Sequence, residues 1–183
     1  MSRKQVTRSK YICRLPDPKY HSVLITQMIN MIMNHGKRAG NKSLSTKMVY
    51  EAIHQAVPKC QSSEVLAEYI ASFAAPAADM PKNIVTELAV FLYLVNHARP
   101  EVEVKSRRIG GANYQVPSQV PEIRGYSMAL RMIIEHTSKR NGRSFIEKLR
   151  DELIDISFNR GGTLKAKETM KRMAIANMVF ARA

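Results

Sequence analysis

The chain has 183 residues, 45% of them hydrophobic, with 29 Lys and Arg against 15 Asp and Glu, a net charge of +14. That apolar share lies well above disordered composition and is enough for one packed core with extensions. No apolar run approaches the ~18 residues of a membrane span, and no basic amphipathic helix or lipid anchor is evident, so a membrane partner is not expected.

The charge is uneven along the chain. Residues 1–47 hold ten Lys or Arg and one acid, Asp17; residues 48–100 hold three basic residues and five acids; residues 101–183 hold sixteen and nine. A mildly acidic middle between two basic flanks implies a polyanion met on particular faces. Each neutralised phosphate releases counterions, so such binding is strong and steeply salt-dependent. Cys13 and Cys60 form no metal-ligand cluster and read as free thiols in a reducing compartment.

Residues 1–16 carry Arg3, Lys4, Arg8, Lys10 and Arg14 and little that could build a core. They are expected to be a retained basic arm, not a transit peptide, ordered by an anionic partner. From Ser22, a plausible N-cap, Val23, Leu24, Ile25, Met28, Ile29, Ile32 and Met33 recur at helical spacing. His35 and Gly36 close that helix, and the basic loop 36–43 follows. Ser43 is expected to cap a second helix with Leu44, Met48, Val49, Ala52, Ile53 and Ala56 on its apolar face, ended by Pro58. A third helix is predicted from about Ser63 to Phe73, then a proline-containing linker, 74–81. Ile84, Val85, Leu88, Ala89, Phe91, Leu92 and Val95 mark a fourth helix, stopped at Arg99-Pro100.

Residues 101–117 change period. Two short runs of β-forming residues flank Gly110-Gly111, the signature of a tight hairpin whose turn needs positive φ. Val102, Val104, Ser106 and Arg108 fall on one face, and Glu103, Lys105, Arg107 and Ile109 on the other. Nothing else reads as a third strand, so the ribbon must lean on the helices. Its outer part carries Lys105, Arg107 and Arg108, with Tyr114 and Gln115 on the return strand. A helix follows over 123–136, with Met128, Ala129, Met132 and Ile133 inward, then a basic turn, 138–143. Ser144 and Glu147 have the spacing of a capping box. The helix they start buries Phe145, Ile146, Leu149, Leu153 and Ile156 and is broken by Asn159-Arg-Gly-Gly162. A last helix is predicted from about Leu164 to Arg182, with Met170, Met173, Ala174, Asn177 and Phe180 near one side. Most of the eleven methionines read as core filler.

Catalytic signatures are missing. The five histidines are scattered, with no His-Glu-x-x-His pair; neither Gly-Gly pair ends in a phosphate-loop Gly-Lys-Ser/Thr; there is no Gly-x-Ser-x-Gly elbow. Asp151 and Asp155 share a helix face, and nearby Lys148 and Arg150 make solvated ion pairs the simpler account. No enzyme, metal or cofactor is expected. The fold class expected is mainly α: one bundle-like helical domain, 17–183, with a protruding two-stranded hairpin at 101–120 and the basic arm, 1–16.

The run Val104 to Pro117 resembles the signature of the universal ribosomal small-subunit protein seven family, bacterial type. The resemblance extends to Asp17–Lys37, to Ala129-Leu130-Arg131, to Gly161-Gly162 with Lys165 and Lys167, and to Arg172–Asn177, covering most of 15–182. A departure near 58–83, longer than the bacterial pattern, reads as an insertion. It favours an organellar ribosome, mitochondrial before plastid, over a bacterial cytoplasmic one. The resemblance implies a non-enzymatic constituent of the small-subunit head. It implies primary binding to the 3′ major domain of small-subunit ribosomal RNA, neighbouring head proteins as partners, and no homo-oligomer. It also places the ribbon (Arg107, Arg108, Gly110, Gly111) and the last helix (Lys171, Arg172) beside the exit-site transfer RNA and messenger RNA path.

The expected RNA contacts are Arg3, Lys4, Arg8 and Lys10 on the arm and Lys37, Arg38 and Lys42 after the first helix. Lys105, Arg107, Arg108, Tyr114 and Gln115 follow on the ribbon, then Arg124, Arg131, Lys139, Arg140 and Arg143 around the next helix and turn, and Lys165 and Lys167 on the last helix. Arginine forks suit paired phosphate oxygens. Tyr114 suits either base stacking or packing within the ribbon. A DNA-binding architectural protein using a basic ribbon is the rival reading, and a protein-only scaffold the third.

Overall fold

A computed structural model describes residues 15–34, 40–60, 64–74, 81–109 and 111–179. Among them the order is α1 (Val23–Met33), α2 (Lys42–Cys60), α3 (Glu64–Ala74), α4 (Lys82–Ala98), β1 (Val102–Ile109), β2 (Ala112–Gln119), α5 (Glu122–Lys139), α6 (Phe145–Ser157) and α7 (Gly162–Ala176). The fold is mainly helical with one antiparallel hairpin.

Each inner helix presents its apolar residues at three- and four-residue spacing, which lines one face. Ile25, Met28, Ile29 and Ile32 of α1 meet Val49, Ala52, Ile53 and Ala56 of α2, Phe91, Leu94 and Val95 of α4, Leu130 and Ile133 of α5, and Leu149, Leu153 and Ile156 of α6 in one buried cluster. Burying each large aliphatic side chain stabilises by about 1.5–3 kcal/mol. Leu130, fully buried, is a position where truncation to Ala costs about 2–5 kcal/mol. Helices α1 and α5 run side by side in the same direction. Gln27 Nε2 donates to Ser127 Oγ at 2.6 Å, and one turn on, Met31 and Asn34 border the same groove as Arg131 and Ile134.

Helix ends follow local chemistry, with some corrections to the sequence expectation. The capping box forms as expected: Ser144 Oγ accepts from Ile146 N and Glu147 reaches back to Ser144 N. At α2 the cap is Asn41, not Ser43: Asn41 Oδ1 accepts from Leu44 N at 2.9 Å, which draws Lys42 and Ser43 into the first turn. Pro58 does not end α2. It sits in the last turn, where its missing N–H forfeits one intrahelical bond, and Cys60 beyond it is buried. Helix α3 starts at Glu64 and ends at Ala74. Helix α5 runs on through Ser138 and Lys139, so the basic turn is shorter than expected. Helix α7 begins at Gly162 and ends at Ala176, short of Arg182. Leu44, expected on the apolar face of α2, is exposed, as are Val23 of the α1 periodicity and Met173 of α7. Loop 35–39, most of linker 74–81 and most of arm 1–16 lie outside the described residues, as does Cys13; Cys60 is a free, buried thiol.

The hairpin pairs Val102 with Gln119, Lys105 with Val116, Arg107 with Tyr114 and Ile109 with Ala112. Gly111 takes φ +90°, which a side chain would resist. The ribbon leans on α7 along both strands. Gly125, in the first turn of α5, lets the chain leaving α4 pass close by; a Cβ there would meet Arg99 Cγ at 2.9 Å. That close approach sets where the ribbon departs from the body.

Candidate nucleic-acid interface

Among the described residues of this basic protein four carboxylates are buried: Asp17, Glu87, Glu103 and Glu152. A buried charge must be paired and hydrogen-bonded, and each of these gathers partners from different elements. Within Val102–Arg108 of β1, Glu103 alone is buried. Its Oε2 accepts from Arg124 Nε and Nη2 of α5 at 3.0 and 2.9 Å, and Lys105 Nζ pairs with its Oε1 at 2.6 Å. Burial pushes the Glu103 carboxyl upward, but its contacts with Lys105 and Arg124 outweigh this and hold it below the usual carboxylate range. The ribbon root is thereby tied to α5.

Glu152 does the same where α5, α6 and α7 meet. It accepts from Thr163 N at 3.0 Å and Thr163 Oγ1 at 2.6 Å, and Arg140 bridges it to Asp155. Burial works against the Arg140 charge, yet the two carboxylates hold its pKa above the ordinary arginine value. At the start of the described chain, Tyr20 Oη (2.6 Å), Lys19 Nζ (3.1 Å) and His54 Nδ1 (2.7 Å) converge on Glu87, while Tyr50 Oη donates to Asp17. Burial raises the Glu87 carboxyl, but the bonds from Tyr20, His54 and Lys19 prevail and lower it.

The candidate cations therefore fall into two groups. Arg124 and Lys105 are held by Glu103, Arg140 by Glu152 and Asp155, Lys139 by Glu135 at 2.6 Å, and Arg172 by Glu168 at 3.5 Å. Lys167 Nζ donates to the His97 carbonyl at 2.6 Å, closing the C-terminal end of α4; burial lowers its pKa, with Lys171 and Arg99 adding to the effect and Glu101 opposing it. In contrast Lys42, Arg107, Arg108, Arg131, Arg143, Lys165 and Lys171 are exposed. None of these seven makes an ion pair among the described residues. Asp151 pairs with Arg150 as expected, while Asp155 turns to Arg140.

The structure brings the ribbon and α7 together: Lys167 and Lys171 line a notch with Pro100, Glu101 and Val102. Arg107 and Tyr114 lie directly opposite on one ribbon face, and Gln115 is exposed on the other. Lys42 lies on a separate flank, in a groove of about 630 Å³ between the chain before α1, α1 itself and the start of α2. Arg131 lies near the end of α1 that leads into loop 35–39. Arg3, Lys4, Arg8, Lys10, Lys37, Arg38 and Gly110 lie outside the described residues. Sequence reasoning missed Lys47, exposed in the same groove as Lys42, and Arg160, exposed after α6. The available signals were position 47 on the outer face of α2 and position 160 in the Asn-Arg-Gly-Gly helix break. Among the described residues no group of three or more His, Cys, Asp or Glu could hold a metal ion, and no helix is long and apolar enough to cross a membrane.

Comparison with known proteins agrees with this arrangement. The family model for ribosomal protein S7p/S5e matches residues 2–178. Proteins named small ribosomal subunit protein uS7 from Rickettsia prowazekii (strain Madrid E), Rickettsia typhi (strain ATCC VR-144 / Wilmington) and Rickettsia felis (strain ATCC VR-1525 / URRWXCal2) are each 38% identical to the chain over 180 residues. The matches span 98% of this chain and 94%, 94% and 95% of those proteins. These relatives are bacterial and lend no support to an organellar origin. The helical core, the stapled two-stranded ribbon and the whole-length match together place this chain in the ribosomal protein S7p/S5e family.

Proposed function

We propose that the protein is a structural, non-enzymatic constituent of the small ribosomal subunit that binds small-subunit ribosomal RNA. The observation that carries this is the sorting of its cations. Those at the ribbon root and helix junctions are consumed by buried carboxylates, while Arg107, Arg108, Arg131, Arg143, Lys165 and Lys171 stand free on the elements so fixed. Rigid presentation of unpaired cations suits phosphate gripping. Recognition is of RNA shape, because the deep major groove of A-form RNA excludes side chains.

In finer terms, the protein is a primary binder of the 3′ major domain that organises the subunit head among neighbouring head proteins. The basic arm orders on RNA, and the ribbon tip and α7 border the exit-site transfer RNA and messenger RNA path. The notch shared by Lys167, Lys171 and the ribbon root supports treating those two elements as one surface. Sucrose-gradient sedimentation of source lysate tests the reading: co-sedimentation with the small subunit, lost after ribonuclease, is expected, and sedimentation as free protein or with DNA discards it. At fixed salt, duplex DNA is expected to compete poorly with ribosomal RNA; equal competition favours the architectural DNA-binding rival. For the compartment, the finer reading is an organellar ribosome, and absence of the chain from ribosomes of purified organelles would remove it.

A further inference from the structure

The turn between α6 and α7 presents an aromatic ring to solvent. Phe158 is 44% exposed, whereas Phe91 and Phe145 are buried in the core. The guanidinium of Arg160 lies over the Phe158 ring, 5.3 Å from its centroid. Arg160 makes no ion pair among the described residues, and exposed Lys165 follows in the first turn of α7.

The turn is fixed. Arg160 N donates to Asp155 O at 2.7 Å and Asn159 N to Ile156 O at 3.1 Å, with Asn159 left-handed at φ +56°. This bond pair is a Schellman motif, in which asparagine tolerates the left-handed position. On the far side, Glu152 holds Thr163. The fixed backbone of the turn thus presents a ring and a guanidinium without an ion pair at the surface. The partner that fits has a flat π face and negative charge beside it: an unpaired nucleotide, its base on the ring and its phosphate near Arg160 and Lys165.

We infer that Phe158 and Arg160 form a base-stacking site for an unpaired nucleotide of RNA. This rests on the RNA-binding reading above. The test uses a transcript of the small-subunit ribosomal RNA 3′ major domain, with affinity measured over a salt series for the full chain, Phe158→Ala and Phe158→Tyr.

A stacking contact predicts that Phe158→Ala binds about 5- to 100-fold more weakly with the salt slope unchanged, because no phosphate contact is lost. Phe158→Tyr stays within about twofold, because it keeps the ring. Ultraviolet cross-linking of the unmutated chain is expected to yield a nucleotide adduct on Phe158, a readout independent of how either variant folds. Phe158→Ala binding like the unmutated chain, equal losses in both variants, or no adduct at Phe158 would overturn the stacking site while the RNA reading stands. Failure of the unmutated chain to bind the transcript would overturn both.

Discussion

Arg140 and Arg107 sit in similarly basic stretches, yet the structure uses them in opposite ways. At the junction of α5, α6 and α7, Arg140 is enclosed by Glu152 and Asp155, and the resulting cluster fixes three helices. At the outer ribbon, Arg107 and Arg108 face solvent with no acid partner among the described residues. The contrast teaches that a cation's role here is decided by whether a buried carboxylate lies within reach, not by local charge density.

The largest expected effect comes from breaking the junction. Glu152→Ala strands Thr163 and part of the Arg140 charge. It is expected to cost about 2–4 kcal/mol in urea unfolding, below the ~3–5 kcal/mol of a wholly buried pair because Arg140 is partly exposed and keeps Asp155. RNA affinity of the folded fraction should keep its salt slope; a steeper slope would mean that the released Arg140 grips phosphate. Glu103→Ala acts on the intermediate case, where a staple serves a projecting element. A loss of about 0.5–1.5 kcal/mol is expected, the net worth of the bonds, because Arg124 and Lys105 are half exposed and rehydrate once the carboxylate is gone. Faster hydrogen exchange in β1 and β2 than in α2 or α6 would localise it; uniform exchange would show that the ribbon does not depend on this tie.

A graded effect is expected with acid. Glu87 and Glu103 are held below their ordinary value of 4.5 in the folded protein. Their contribution is fully present above that value and is lost as pH falls through the lowered folded pKa. Melting temperature should therefore decline below about pH 4.5, and less steeply in Glu103→Gln. The smallest effect on stability, within about 0.5 kcal/mol, is expected for Arg107→Ala with Arg108→Ala. That same pair should flatten the salt slope of RNA binding by about two units, one per lost phosphate contact. An unchanged slope would erase the distinction between stapled and free cations.

Much of the scaffold was legible because its signals are local. Gly110-Gly111 between β-forming runs marked the hairpin turn, and Ser144 with Glu147 marked the start of α6, since each depends on residues within one turn of the chain. Pro58 misled, because the penalty for proline depends on how much helix follows, and only Lys59 and Cys60 do. Ser43 was read as the cap of α2, and only the hydrogen bond from Leu44 N to Asn41 Oδ1 shows that the cap lies two residues earlier. The site was legible as composition but not as roles. Glu152 lies 12 residues from Arg140, and Glu103 lies 21 from Arg124. Alternation put Glu103 on a ribbon face without showing that this face is the buried one. Phe158 carried no signal in the sequence beyond its place before a helix break.

The side-by-side run of α1 and α5 has a consequence in time. The bond from Gln27 to Ser127 spans 100 residues. On a translating ribosome, α1 can dock on α2 early, but the side it turns to α5 stays open until more than two thirds of the chain has been made. Contacts that distant slow folding. During that interval the basic leading segment is tethered to a helix with an uncovered apolar edge, and the polyanion nearest to hand is the ribosome that is synthesising it.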